Sequence, residues 1–126
     1  MIGVYQIINT VNNKIYFGQS LNIEQRFRNH KRSLNKGNSS NIYLQWDWNK
    51  YGESSFQFDV IELCPSDITD PTEIKQWLND TEEFYIEAHL NNNGMASLYN
   101  IAFVKGKPNR WNTYPTWENY IHEYTS

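Results

Sequence analysis

Residues 3–18, GVYQIINTVNNKIYFG, predict two short β-strands joined by a turn. β-Branched and aromatic residues recur through both halves of the segment. Asparagines, which tolerate left-handed turn conformations, lie between them. The segment is therefore expected to form a β-hairpin. Its paired strands carry two short aromatic motifs, Gly3-Val4-Tyr5 and Tyr16-Phe17-Gly18.

The chain after the hairpin predicts three helices and one further strand. Asn22 and Asn41 each precede a helical pattern, and Gly37 and Gly52 follow those patterns. Alternation in Phe56, Phe58 and Val60 predicts a third strand, and Asp70-Pro71 is a strong helix start. On that last helix the buried face is expected to hold Trp77, Leu78, Thr81, Phe84, Tyr85 and Ala88.

This order of elements does not fit repeated βαβ units, because the opening hairpin is antiparallel and only three strands are available. We expect an α/β fold, a small sandwich in which helices flank a three-stranded, mainly antiparallel central sheet. Its 126 residues, 39% apolar and 16% aromatic, suffice for one core. The predicted domain spans residues 1–100. Residues 101–126 are predicted to form a loop and a short helix that packs on this domain or on a partner.

Composition also limits the class of protein. There is no run of about 18 apolar residues and no export signal, so we expect a soluble, cytoplasmic protein that has no membrane partner. The single cysteine, Cys64, excludes an internal disulfide and a cysteine-based zinc cluster.

Charge is segregated along the chain despite a net charge of only −3. The segment 24–36 is basic, whereas the segment 59–87 is acidic. Charge segregation alone favours two solvated helix surfaces over a nucleic-acid footprint by about two to one. The basic residues that could bind nucleic acid are Arg28, Lys31, Arg32, Lys36, Lys105, Lys107 and Arg110.

The two aromatic motifs, followed by Arg26, Glu82 and Tyr99-Asn100, resemble the GIY-YIG nuclease family in order and approximate spacing. The likeness extends from Ile2 to Asn100. The filler segments Lys14–Ser20, Arg26–His30, Asn49–Gly52 and Glu82–Ile86 resemble the phage-type homing endonuclease branch.

The resemblance implies a metal-dependent DNA endonuclease associated with phages or mobile elements. Tyr5 would be the general base, with its pKa lowered by nearby cations, and Tyr16 would lie beside it. Arg26 and His30 are four residues apart on one helix, so they can converge on one phosphate. Arg26 would bind phosphoryl oxygens, and His30 would donate a hydrogen bond or assist proton movement.

The resemblance implies that Glu82 is the metal ligand, with Glu83 as its nearest rival. One carboxylate together with waters and substrate phosphate suits Mg²⁺ or Mn²⁺ better than zinc. Asn100 would brace the site through its side-chain amide. These six residues, Tyr5, Tyr16, Arg26, His30, Glu82 and Asn100, are the predicted catalytic set.

The residues after Gly37 and the segment 101–126 leave a second class of function open. Phage-type relatives often carry a second histidine just after the glycine that corresponds to Gly37, and this chain has Asn38-Ser39-Ser40 there. The alternative is a catalytically weak or inactive GIY-YIG module that binds nucleic acid or a protein. A homodimer, or a protein partner bound through residues 101–126, is also possible.

Overall fold

The computed structural model describes residues 1–100 and shows a three-stranded sheet with helices on both faces. The strands are β1 (Gly3–Asn9), β2 (Ile15–Ser20) and β3 (Phe56–Leu63). Their order is β2-β1-β3, and both pairings are antiparallel. The predicted fold class is therefore confirmed.

The hairpin register determines which motif residues face each other. Tyr5 lies opposite Gly18, and Ile7 lies opposite Tyr16. In the turn, Asn13 adopts a left-handed backbone with a φ of 63°. The Asn9 side chain accepts a hydrogen bond from the amide of Val11 at 2.9 Å. Asparagine therefore shapes this turn, as the sequence predicts.

Three helices begin at the predicted capping residues. They are α1 (Ile23–Lys36), α2 (Ile42–Tyr51) and α3 (Pro71–Asn93). The side chains of Asn22, Asn41 and Asp70 accept hydrogen bonds from backbone amides of the first turns. Each bond satisfies a donor that the helix itself leaves unpaired. Short 3₁₀ turns occupy Glu53–Ser55 and Met95–Ser97.

The helices lie in two layers because the sheet is apolar on both faces. Tyr5 and Ile7 pack with α1 and α2 in the larger core, whose other buried members are Ile23, Leu34, Leu44, Trp48, Phe56 and Tyr99. Phe17, on the opposite face, packs with Ile86 of α3 and with Leu98. Alternation along β1 and β2 thus sends neighbouring motif residues to different layers.

The expected buried face of the last helix is wrong in one respect. Phe84 is 63% exposed, and the buried residues of α3 are Leu78, Glu82 and Ile86, spaced four apart. This spacing places a carboxylate in the middle of the packed stripe. Hydrophobicity predicts that Phe84 is buried and Glu82 is exposed, and the structure shows the reverse.

Several predictions fall outside the described residues. These are the loop and short helix predicted for residues 101–126, a partner bound through them, and the nucleic-acid contacts of Lys105, Lys107 and Arg110. Within residues 1–100, no helix is long and apolar enough to cross a membrane.

Candidate active site

The glycines of the two motifs allow backbone and ring atoms to approach closely. A Cβ atom at position 18 would lie 2.4 Å from the ring carbon Cζ and the hydroxyl oxygen of Tyr5. A Cβ atom at position 3 would lie 2.3 Å from the carbonyl oxygen of Glu62 on β3. Gly18 therefore provides the space that the Tyr5 ring occupies across the hairpin.

The Tyr5 hydroxyl is the point where two residues of α1 meet. It forms a 2.7 Å hydrogen bond with Nε2 of His30. Nε of Arg26 donates a second hydrogen bond to the same oxygen at 3.3 Å. The tyrosine is fully buried, whereas Arg26 is exposed. Arg26 and His30, four residues apart on α1, therefore converge on one point, as the sequence predicts. Arg26 also faces solvent.

Tyr16 completes an aromatic group around His30. Its ring lies 6.4 Å from the Tyr5 ring and 5.4 Å from the His30 ring, measured between centroids. Phe27 packs edge-on against Tyr5 at 5.1 Å. The rings hold the three polar groups in a mostly apolar setting, where hydrogen bonds and charges interact more strongly than in water.

The same burial reverses one prediction. Burial, together with Tyr16 and Glu82, raises the pKa of the Tyr5 hydroxyl well above its usual range, although Arg26 opposes the shift. Burial likewise raises the pKa of Tyr16. The expectation of a lowered pKa at Tyr5 is therefore wrong for the protein without a bound cation or substrate, because desolvation outweighs one guanidinium.

His30 is held in its neutral form. Burial, and to a smaller extent the positive charge of Arg26, lowers the pKa of its imidazole from 6.5 to about 4. A neutral imidazole has one nitrogen that accepts a hydrogen bond. With its own proton on Nδ1, His30 can accept the Tyr5 hydroxyl hydrogen at Nε2.

Glu82 lies on α3 and is only 3% exposed. Its Oε2 accepts a 2.6 Å hydrogen bond from Nε2 of Gln19 on β2. Its negative charge contributes to the raised pKa values of both Tyr5 and Tyr16. The carboxylate is thus electrostatically coupled to the tyrosine pair, although α3 packs on the other face of the sheet. The rival Glu83 is less buried.

The chemistry of this carboxylate fits a hard divalent cation. Carboxylate oxygen is a preferred ligand of Mg²⁺ and Mn²⁺. Among residues 1–100, no three side chains of the histidine, cysteine, aspartate or glutamate type are grouped to enclose a metal. A cation at Glu82 would therefore keep most of its water or bind substrate oxygens.

Asn100 supports the backbone of β2. Its Oδ1 accepts a hydrogen bond from the amide of Phe17 at 2.8 Å, and its Nδ2 donates to the carbonyl of Phe17 at 2.6 Å. The side chain is 2% exposed. It contacts the centre of the Tyr16-Phe17-Gly18 motif, which is a bracing position.

Comparison with known proteins identifies the family. The GIY-YIG catalytic domain family matches residues 1–100. The chain belongs to this family. It is 38% identical over 101 residues to the intron-associated endonuclease 1 of Enterobacteria phage T4, an alignment that covers 79% of this chain. The chain spans only 36% of that relative's length.

Two solved structures agree with this assignment. The catalytic domain of the homing endonuclease I-TevI is 34% identical, with a TM-score of 0.60 over 70% of this chain and 87% of that structure. A variant of the same domain with one glutamate replaced by alanine is also 34% identical. It has a TM-score of 0.59 over 69% of this chain and 81% of that structure.

In this GIY-YIG domain a small cavity opens beside Arg26 and His30. Its volume is about 70 Å³, and its other lining residues are Asn29, Ser33, Ser39 and Ser40. Ser39 and Ser40, which belong to the segment after α1, therefore lie at the site. Three hydroxyls and an amide line a space that adjoins the Tyr5 hydrogen-bond partners.

The predicted nucleic-acid-binding residues of α1 are all exposed. Arg28 Nη2 donates to Gln25 at 2.8 Å, and Lys31 Nζ lies 4.9 Å from the centre of the Phe58 ring. Arg32 donates to Asn29 at 3.4 Å. Lys36 occupies the last turn of the helix. All four residues lie on the same helix as the exposed Arg26.

Sequence reasoning missed Gln19, whose amide contacts the candidate metal ligand. Its position directly after the second motif placed it near the site, but an uncharged side chain gave no signal of a role. Asn29 and Ser33, which line the cavity beside Arg26 and His30, were missed because helix and loop come together there only in the folded chain.

Proposed function

We propose that this GIY-YIG domain is the catalytic domain of a DNA endonuclease that hydrolyses phosphodiester bonds with a divalent cation, Mg²⁺ or Mn²⁺. One observation carries the proposal. The buried Tyr5 hydroxyl forms hydrogen bonds with His30 and Arg26 of α1, and its electrostatics are coupled to the buried carboxylate of Glu82. A structural tyrosine requires one hydrogen-bond partner and no such convergence of charged groups.

Hydrolysis requires the removal of a proton from the attacking water. We assign this step to Tyr5 and His30 acting in sequence. Tyr5 Oη takes the proton of the water while its own hydroxyl proton passes to Nε2 of His30, which is neutral at pH 7 because its pKa is lowered to about 4. The imidazolium that forms is stabilised by the negative charge that develops on the phosphate. Tyr5 thus acts as a base without first losing its proton to solvent.

Arg26 is the phosphate contact in this scheme. Its Nε donates to the Tyr5 hydroxyl at 3.3 Å, and its exposed guanidinium borders the adjacent cavity, where it can bind a phosphate. A guanidinium binds phosphoryl oxygens through parallel hydrogen bonds and is always charged. We place the scissile phosphate beside this cavity, within reach of both Arg26 and Tyr5.

Glu82 is the proposed metal ligand. A divalent cation supplies positive charge to the phosphoryl and leaving oxygens during hydrolysis. Glu82 would hold it through a carboxylate that the protein has already oriented. Tyr16, against His30, keeps the proton-transfer groups away from bulk water, and Asn100 fixes the strand that carries Tyr16.

The exposed basic residues of α1, Arg28, Lys31, Arg32 and Lys36, are proposed to bind the DNA backbone on either side of the scissile bond. The catalytic-domain relatives include a phage intron-associated endonuclease. We extend that setting to this chain as a proposal: a phage or mobile-element nuclease that acts in the cytoplasm of the host cell.

The test is cleavage of supercoiled, linear, branched and single-stranded DNA by wild type and by Arg26→Ala, Glu82→Gln and Arg28→Ala at equal concentration. Single-turnover rates at saturating DNA isolate the chemical step. Arg26→Ala and Glu82→Gln are expected to reduce that rate by about 100-fold or more, since each removes charge that acts in the transition state. Arg28→Ala is the matched control on the same helix. It should weaken DNA binding and leave the saturated rate within a few-fold.

Two results would contradict the proposal. Cleavage that survives both Arg26→Ala and Glu82→Gln would come from a contaminating nuclease or from another site. Binding of DNA by the folded wild type, with no cleavage of any form in Mg²⁺ or Mn²⁺, would instead support a binding module.

A further inference from the structure

Gln19 contacts the buried carboxylate of Glu82. Its Nε2 donates to Glu82 Oε2 at 2.6 Å and to Asn79 Oδ1 at 2.9 Å. Lys75 Nζ lies 3.5 Å from Gln19 Oε1, on the other side of the amide. Through its two polar atoms, Oε1 and Nε2, the Gln19 amide therefore links the exposed Lys75 to the buried Glu82.

This arrangement fixes the direction of the amide. Two oxygen acceptors, from Glu82 and Asn79, converge on one end of the Gln19 side chain, and only the NH₂ end can donate to both. Both hydrogens of that group are then used. The opposite end presents its oxygen to a cation, Lys75. Rotating the amide would place oxygen against a carboxylate and nitrogen against an ammonium.

Burial makes this contact important for the carboxylate. At 3% exposure, Glu82 has little water to orient it or to compensate its charge. A short N–H···O⁻ hydrogen bond to the carboxylate is among the stronger polar contacts in proteins. Gln19 is held in turn by the β2 backbone, where it pairs with Val4 directly beside the Tyr5 position. The carboxylate orientation is therefore tied to the same strand pair that positions the tyrosines.

We propose that Gln19 is a positioning residue that orients the Glu82 carboxylate for a divalent cation, so that the affinity of the site for the cation depends on the Gln19 amide. The inference rests on the proposed function, in which Glu82 is the metal ligand. Hydrogen-bond partners of ligating carboxylates commonly contribute about 10- to 100-fold to metal affinity or activity.

The experiment uses Mn²⁺ as the probe and the full chain without DNA, with free Mn²⁺ measured by electron paramagnetic resonance. Gln19→Met keeps the length of the side chain and removes its donors. Gln6→Met is the matched control, because Gln6 lies on the neighbouring strand β1 and donates to Asp59 at 3.2 Å instead of to Glu82. Glu82→Gln reports whether the probe binds at Glu82 at all.

Gln19→Met is expected to raise the Kd for Mn²⁺ by about 10- to 100-fold, and Gln6→Met is expected to leave it unchanged. Single-turnover cleavage by Gln19→Met should recover towards the wild-type rate at saturating Mn²⁺, because the ligand itself is intact. A purely structural role would lower thermal stability without this recovery.

Wild-type Mn²⁺ affinity in Gln19→Met, with affinity lost in Glu82→Gln, would overturn the role of Gln19 and leave the proposed function standing. Wild-type affinity in Glu82→Gln would instead overturn Glu82 as the metal ligand. If Gln19→Met fails to fold, Gln19→Asn replaces it, because its amide is one methylene shorter and withdraws the donor from Glu82. Unchanged Mn²⁺ affinity in that variant would also overturn the proposal.

Discussion

Replacing Gly18 with alanine should move the Tyr5 ring without removing any functional group. The added Cβ atom would lie 2.4 Å from Tyr5 Cζ and Oη, whereas ordinary van der Waals contact begins at 3.4 Å. Relief of the clash therefore requires a shift of about 1 Å. A displacement of this size in a catalytic group reduces the rate by about 100-fold. We expect the single-turnover cleavage rate of Gly18→Ala to fall by about that factor.

Stability must be separated from this effect on the rate. Overpacking of this kind destabilises a protein by about 1–3 kcal/mol, which urea denaturation measures. Gly37→Ala is the matched control. Gly37 ends α1 with a φ of +79°, and an added Cβ there meets nothing within 4 Å. Alanine is strained at that backbone angle, so Gly37→Ala should lose stability while it retains the cleavage rate.

A double-mutant cycle tests whether the effect acts through Tyr5. In a Tyr5→Phe background the hydroxyl is already absent, so adding Gly18→Ala should reduce the remaining rate far less than it does in wild type. Two outcomes would refute the reasoning. One is a wild-type cleavage rate in Gly18→Ala, and the other is the same fold-loss with and without the Tyr5 hydroxyl.

Two further variants test the polar groups around the motifs. The pKa of His30 is about 4 in the folded chain against 6.5 when unfolded, so the unfolded chain binds more protons between these values and stability falls as pH decreases from 6.5 to 4. Between pH 7.5 and 4.5 this loss of unfolding free energy amounts to about 2–3 kcal/mol. In urea titrations, the unfolding free energy of His30→Gln should fall by that much less than that of wild type. Equal losses would show that His30 titrates normally. Asn100→Ala removes both hydrogen bonds to the Phe17 backbone and should destabilise the fold by about 2–3 kcal/mol in the same assay. Unchanged stability with lost cleavage would instead indicate a direct catalytic contact.

The local elements of this protein follow from its sequence. Capping residues Asn22, Asn41 and Asp70 each mark a helix start, because their side-chain oxygens accept hydrogen bonds from amides that the helix leaves unpaired. The asparagines of the first turn predict the hairpin for a similar reason. A spacing of four residues also suffices to place Arg26 and His30 on one side of α1.

Packing between distant segments was beyond these local rules. Phe84 is exposed and Glu82 is buried, because α3 rotates to place a carboxylate beside Gln19 on β2. Hydrophobicity alone predicts the opposite order for these two positions. The contact between Gln19 and Glu82, which are 63 residues apart in sequence, accompanies the inward position of Glu82.

The sequence by itself determined the elements and the antiparallel hairpin, since these depend on short-range hydrogen bonding and on residue spacing, and its resemblance to a nuclease family indicated the candidate catalytic residues. Only the tertiary structure decided their ionisation. Arg26 alone predicts a lowered pKa at Tyr5, yet burial in the core and the charge of Glu82 raise it. Desolvation depends on everything that packs around a group, and that environment exists only once the sheet and helices have come together.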